Sequence, residues 1–318
     1  MNKDVVSILL CPSCRANKLK LEVFDKDSYG VKEGVVKCPR CTRTYPIFDY
    51  ILELLPDDLA YWEDRKIFYK RHKKRFKLEK EQQQYFDWYA KNSTQSYSDY
   101  AGSSFWRATD ELIIGKWRKG IRKDSWLLDV GCAQGRSAFQ FADLPISIVG
   151  FDISKNMIVE AIKRSRGRAN MYFFVGDATS FPIKSESFDY VLLYGVLHHL
   201  PDPRKTVKEI IRVLKPGGTY FGLENNKTPV RIFFDFLQKL HPLWYERAGS
   251  MPLIGKRDIK GWFNGQHKIS VSTHTFLPPH IVNLFSVEVA KRMLSKTDVI
   301  AKFMPDAGGL INIVMERM

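Results

Sequence analysis

The sequence predicts an α/β chain: a doubly wound, mostly parallel sheet preceded by a small zinc-bound unit. Three observations predict it. Four of the five cysteines form two C-x2-C pairs near the start. From Asp124 onward apolar runs alternate with helical patterns, as a parallel sheet with crossover helices requires. The first three of those runs each lead to an aspartate, at the strand ends where open sheets bind their ligands.

A chain of 318 residues with 44% hydrophobic content can bury one large α/β core and something smaller beside it. No stretch approaches the ~18 continuous apolar residues of a membrane span. The opening "MNKDVVSILLCPSC" turns polar too soon for a secretory signal, so the expected location is cytoplasmic, with peripheral contact at the inner membrane face as an option. Fifty Lys and Arg against 35 Asp and Glu give a net charge of +15. Such a balance attracts the phosphates of RNA or of an anionic membrane surface, or serves only as a solvated surface. Part of the excess is concentrated in residues 60–84, with nine basic residues against four acids.

The first unit spans 1–56. Cys11 and Cys14, then 23 intervening residues, then Cys38 and Cys41 present four thiolates with the spacing of a structural, tetrahedral Zn2+ site. Reduced cytosolic thiols favour that over two disulfides. With "ILLCPSC" before and "CTRTYPIFDYILELLP" after, this segment resembles the small zinc-ribbon activator subunits that support tRNA and release-factor methyltransferases. The resemblance implies a module that assists a methyltransferase, here fused to the rest of the chain. Tyr50 stands where that pattern often has Gly, so the turn before "ILELLP" is expected to differ.

Residues 57–105 are charged, aromatic and poor in Gly, and read as one or two connecting helices. The Tyr-, Trp- and Ser-rich part then suits either a cover over a ligand site or an irregular surface connector.

The third unit, 106–318, carries the sheet. "SWLLDVG", "ISIVGFDIS", "NMYFFVGDA", "FDYVLLYGV" and "GGTYFGLEN" are its successive strands, and "GGLINIVMERM" closes it as an edge strand. Between them lie helices from Arg136, in "KNMIVEAIKRSRG", and in "PRKTVKEIIRVLKPGG", the last stopping on Pro216 and two glycines.

The strand ends are chemically apt. Strand one ends at Asp129 and Gly131, strand two at Asp152, strand three at Asp177, and strand four at Tyr194 with His198 and His199 beyond. Asp152 follows Asp129 by 23 residues, close to the ~20 expected for a carboxylate on ribose hydroxyls; with Ser154 beside it, helix capping is the alternative. The first turn reads D-x-G-x-x-x-G, not the G-x-G-x-x-G of a dinucleotide fold, and no G-x4-G-K-[ST] loop occurs.

At "LLDVGCAQG", "VGFDISKNMIVEA", "VGDATSFPIKSESFDYVLLYGVLHHLPD" and "EIIRVLKPGG" the chain resembles class I S-adenosylmethionine-dependent methyltransferases. That resemblance implies a seven-stranded, Rossmann-like sheet and S-adenosyl-L-methionine as cofactor. It places Gly131 and Gly135 in the turn beside the methionine moiety with Asp129, Asp152 on the ribose, Met157 beside the adenosine, and Asp177 with Ala178 at the adenine. Tyr194 joins these contacts. Ala133 stands where the family usually has Gly, which a negative φ would accommodate. Cys132 reads as a reduced residue packed in the turn.

Methyl transfer from a sulfonium needs orientation, plus a base when the nucleophile is a hydroxyl or amine. His198 and His199 are the candidates, as a base or as packing at a helix start. The strand-four continuation "LYGVLHHL" lacks the [DN]-P-P-[YF] turn of exocyclic-amine nucleic-acid methyltransferases and resembles the small-molecule branch, which includes quinone and lipid-pathway enzymes. An insertion at about 225–280, with an apolar body and basic residues, reads as a substrate lid that packs on the sheet, receives a lipophilic acceptor or touches a membrane. The leading expectation is therefore methylation of a small or lipid-linked acceptor. RNA base methylation is the runner-up, and a non-catalytic partner is the third.

Overall fold

The computed structural model describes residues 3–56, 59, 102–228, 254–263 and 267–318. The connecting helices expected in 60–101 and the apolar body of the insertion, 229–253, lie outside the described residues.

The first 56 residues contain a short helix α1 (Lys3–Ile8) and an antiparallel sheet in the order β1 (Lys20–Asp27), β2 (Gly30–Lys37), β3 (Thr44–Phe48) and β4 (Ile51–Leu52). The β3–β4 turn, with Tyr50 at the position in question, takes the left-handed backbone that favours glycine. Asp49 and Tyr50 have φ of 47° and 69°, the two left-handed residues of a tight hairpin. The Tyr50 hydroxyl donates to Asp27 and its N–H to the Lys32 carbonyl, contacts that offset the steric cost of a side chain there.

The large sheet begins after helix α2 (Ser104–Arg118), whose Ser103 side chain accepts from the Trp106 N–H as an N-cap. Its strands are β5 (Trp126–Val130), β6 (Ser147–Asp152), β7 (Met171–Val175), β8 (Phe188–Tyr194), β9 (Leu214–Asn225), β10 (His267–His274) and β11 (Leu310–Arg317), in the spatial order β10-β11-β9-β8-β5-β6-β7. Strands β5 to β9 are parallel, while β11 runs antiparallel to both β9 and β10. Helices α3 (Arg136–Phe139), α4 (Lys155–Ser165) and α5 (Pro203–Val213) make the crossovers, so the inner strands are buried on both faces and read as continuous apolar runs. Alternate residues feed two cores: Leu128, Val130, Phe151 and Val191 on one side, Leu127, Ile148, Leu192 and the α2 residues Ile113, Ile114 and Trp117 on the other.

Three elements differ from expectation. The closing strand β11 lies second from the edge: Leu310, Ile311, Ile313 and Met315 are buried because β10 covers it. That edge strand falls within the 225–280 segment assigned to a lid, so the later part of that segment belongs to the sheet. Helix α5 stops at Val213, before Pro216, and the strand starts at once; Lys215 to Gly218 form a bulge between the Leu214–Phe188 and Thr219–Tyr190 pairs, as a proline without an N–H requires.

The two sheets meet. Residues Glu53 and Leu54 lie parallel to the end of β7, with the Leu54 N–H donating to the Val175 carbonyl at 2.9 Å. Leu9 bridges Ile183, and Arg15 donates to the Phe181 carbonyl at 2.7 Å. Val5, Leu9, Leu52 and Leu54 share one core with Phe151, Phe174, Phe181 and Ile183.

Candidate active site

The strand order reverses beside β5, with β6 on one side and β8 on the other, which opens a crevice at the carboxyl ends of these strands. The turn after β5 lies there. Gly131 has φ +66° and a Cβ on it would stand 2.6 Å from the Val196 side chain; Gly135 has φ +83° and would meet the Phe139 ring at 2.7 Å. Both positions therefore require glycine. Ala133 is a correction: its φ is +46°, not negative, so its methyl group is held in left-handed backbone. Cys132 is reduced and packed beneath the turn, 2% exposed.

The turn is held from β6. Gly131 and Cys132 donate to the Phe151 carbonyl at 2.9 and 3.1 Å, and Ala133 donates to Asp152 Oδ2 at 2.9 Å. The other oxygen of Asp152 accepts from the Ser154 N–H, and Ser154 Oγ in turn caps α4 at the N–H of the buried Met157. Ser154, not Asp152, therefore caps the helix, while Asp152 braces both the glycine turn and the cap residue. Asp177 accepts from the N–H and hydroxyl of Thr179, both at 2.7 Å, and the Ala178 carbonyl accepts from Thr206 Oγ1 at 2.6 Å. Asp152 pairs with Val175 across β6 and β7, which sets Asp177 and Asp152 along one rim with the glycine turn.

Asp129 is fully buried. Its Oδ2 accepts from Ser137 Oγ at 2.7 Å, while Oδ1 has no hydrogen-bond partner among the described residues. Burial pushes this carboxyl up to about 7, with Ser137 pulling the other way. A fully buried carboxylate oxygen left open beneath a glycine turn suits a cationic ligand group above it.

In the first unit, the Sγ atoms of Cys11, Cys14, Cys38 and Cys41 all lie within 4.8 Å of one another. None is in a disulfide. The Tyr45 hydroxyl lies 3.0 Å from Cys11 Sγ, and burial pushes the Cys11 thiol up to about 12. Four soft donors in a small sheet fit a structural Zn2+, which takes the thiolate form and removes that burial penalty.

Comparison with known proteins decides the family. The family described as "Methyltransferase domain" matches residues 128–222, and that described as "Trm112p-like protein" matches residues 2–49. Over 193 residues the chain is 30% identical to the demethylmenaquinone methyltransferase of Staphylococcus aureus (strain MRSA252), which covers 58% of this chain and 74% of that one. The chain is a class I S-adenosylmethionine-dependent methyltransferase. Two solved structures share its fold. One, a complex between the Haloferax volcanii Trm112 methyltransferase activator and a putative methyltransferase, is 18% identical with a TM-score of 0.51, over 73% of this chain and 97% of that one. The other, Haemonchus contortus phosphoethanolamine N-methyltransferase 2 with S-adenosyl-L-methionine, is 21% identical with a TM-score of 0.50, over 73% and 59%.

The methyltransferase holds the adjacent histidines His198 and His199 differently. His198, 5% exposed, sets Nδ1 at 2.7 Å from Glu224 Oε2, and its Nε2 is 3.3 Å from Asn225 Nδ2. Glu224 Oε1 accepts from the N–H groups of Val196 and Leu197 at 2.9 and 2.8 Å. The His199 ring packs against His198, centroids 4.1 Å apart.

Sequence reading missed a second cluster. The Arg136 guanidinium, directly after the glycine turn, lies 5.1 Å from the Trp106 ring centre and 5.0 Å from that of Tyr194. It donates to both Asp110 oxygens at 2.8 Å, and the Tyr194 hydroxyl donates to Asp110 Oδ1 at 2.8 Å. Burial pushes the Asp110 carboxyl up against the pull of Arg136. The Tyr194 hydroxyl is thus engaged with α2. Glu224 was the more findable residue, because an acid inside the apolar run "TYFGLEN" must have buried partners.

Proposed function

We propose that this methyltransferase transfers a methyl group to a small lipid-linked acceptor, such as a prenylated quinone ring. The observation that carries the reading is the 30% identity over 193 residues to a demethylmenaquinone methyltransferase. When bound, S-adenosylmethionine supplies the electrophilic methyl on a sulfonium. In this reading Gly131 and Gly135 let the backbone approach its methionine part, with the open oxygen of Asp129 beneath. Asp152 accepts from the ribose while bracing the turn, Met157 packs beside the adenosine, and Asp177 with Ala178 borders the adenine. Tyr194 closes the methionine end through its ring.

His198 serves as the base in this proposal, with His199 packed behind it. A carboxylate can only accept, so Glu224 fixes the proton on Nδ1 and leaves the Nε2 lone pair to receive a proton from the acceptor. Asn225 holds that lone pair until the acceptor replaces it. The test incubates the purified chain with methyl-labelled S-adenosylmethionine and either a demethylated prenyl quinone or bulk RNA. Label should enter the organic phase with the quinone. Label in RNA, or none in the quinone and other lipid extracts, would overturn the reading.

A further inference from the structure

Eight of the thirteen large apolar side chains exposed among the described residues fall between Ile281 and Met304. They belong to helix α6 (Pro279–Val282), helix α7 (Val287–Thr297) and the turns after each. Leu284 is 80% exposed and Phe303 is 83% exposed, and it is the grouping of such residues, not any one of them, that marks an interaction face.

Their place in the fold gives this face a direction. Asn283, beside Leu284 and Phe285, accepts from the Phe105 N–H and Ser103 Oγ, both at 2.9 Å, so it sits on the first turn of α2. That turn carries Trp106, whose ring lies against Arg136 and Tyr194 at the site. At the other end, Asp298 binds His274 Nδ1 at 2.7 Å and the Thr275 N–H at 3.2 Å, where β10 ends. Strand β10 is parallel to β9, because both run antiparallel to β11. Both apolar groups therefore stand at the carboxyl end of the sheet, on the same side as the glycine turn and His198.

The charge around them has one sign to spare. Within residues 281–306 four basic residues stand against three acids; Glu288, Asp298 and Asp306 are each paired, whereas Lys296 and Lys302, beside Val299, Ile300 and Phe303, make no ion pair among the described residues. Apolar tips flanked by lysines match the boundary of an anionic bilayer, where the tips enter below the headgroups and the lysines meet phosphates.

We propose that the Ile281 to Met304 face seats the enzyme on an anionic lipid surface and turns the active-site crevice toward it. The inference rests on the lipid-linked reading of the acceptor and adds the route by which such an acceptor reaches the site. It is tested by co-sedimentation with acceptor-free vesicles, either phosphatidylcholine alone or phosphatidylcholine mixed with phosphatidylglycerol. Wild type should sediment with the mixed vesicles and stay in solution with phosphatidylcholine. The double variant Leu284→Ser/Phe303→Ser should lose about tenfold or more of that partitioning while melting at the same temperature. Wild type left in the supernatant with anionic vesicles overturns the proposal. So does a double variant that partitions like wild type, or one that instead loses affinity for bulk RNA. Because the vesicles hold no acceptor, this result stands apart from the quinone assay: either can fail while the other succeeds.

Discussion

Nδ1 of His198 lies 2.7 Å from Oε2 of Glu224, a carboxylate whose side chain is fully buried and whose second oxygen is taken by two backbone N–H groups. The pair fixes which ring nitrogen carries the proton. Glu224→Gln presents an N–H₂ to Nδ1, which favours the proton on Nε2 and removes the basic lone pair. We expect kcat to fall by roughly 10²-fold, the scale of general-base loss, with S-adenosylmethionine affinity nearly unchanged. An unchanged melting temperature beside the reduced kcat distinguishes this from a folding defect.

Asp129 gives a pH dependence of defined sign. Its carboxyl, pushed up to about 7 by burial, holds its proton more tightly folded than unfolded, where the value is about 3.9. The contribution to stability is therefore full below about 4 and is lost as pH rises toward 7. A cationic ligand favours the ionised form, so cofactor affinity should increase as pH rises toward 7. Denaturant unfolding checks the first sign and calorimetric titration with cofactor the second, each on wild type and Asp129→Asn across this range; equal slopes in the two proteins would refute the assignment.

In the Asp110–Arg136 pair the acid is buried and the arginine half-buried, with side chains 8% and 19% exposed. Removing the carboxylate takes from a largely buried guanidinium its two-oxygen partner, so Asp110→Ala should destabilise by about 3–5 kcal/mol. Asp110→Leu/Arg136→Met, which removes both charges at similar volume, should recover much of that loss. Denaturant unfolding of the three proteins measures the difference.

Ala133→Gly should stabilise the chain. At φ +46° the alanine methyl costs roughly 1 kcal/mol, and no hydrogen bond of the turn depends on it, since the contact to Asp152 uses the backbone N–H. A rise in melting temperature with unchanged cofactor binding is the expected outcome.

Zinc removal should reach beyond the first unit. Leu9, Leu52 and Leu54 share a core with Phe174 and Phe181 of the large sheet, so chelation or Cys38→Ser should lower the melting temperature of the whole chain. Independent melting of two units would contradict that shared core.

Much of the site was legible because its signals are local. Asp129, Asp152 and Asp177 end apolar runs, and the glycines sit where backbone must turn, so type and spacing together disclose them. Strand β10 was not legible: "HKISVSTH" alternates Ser, Thr and His, and its polar side chains are satisfied only across the sheet, as when Asn312 donates to Ser272. The Arg136 cluster was hidden for a related reason. Asp110 stands 26 residues from Arg136 and 84 from Tyr194, and no local pattern announces contacts that only the folded chain assembles. Ala133 shows the limit of inference from residue type, since an alanine argues for negative φ until the surrounding hydrogen bonds outweigh it.

Strand β7 stands last in the order of the large sheet, and a terminal strand with unpaired N–H and C=O groups is a template on which a second molecule can add. By laying Glu53 and Leu54 against Val175, the chain fills the exit of that template with itself. Tethered through its own backbone, the blocking piece stays at a local concentration on the order of millimolar. Dilution that would separate two independent molecules leaves this one closed.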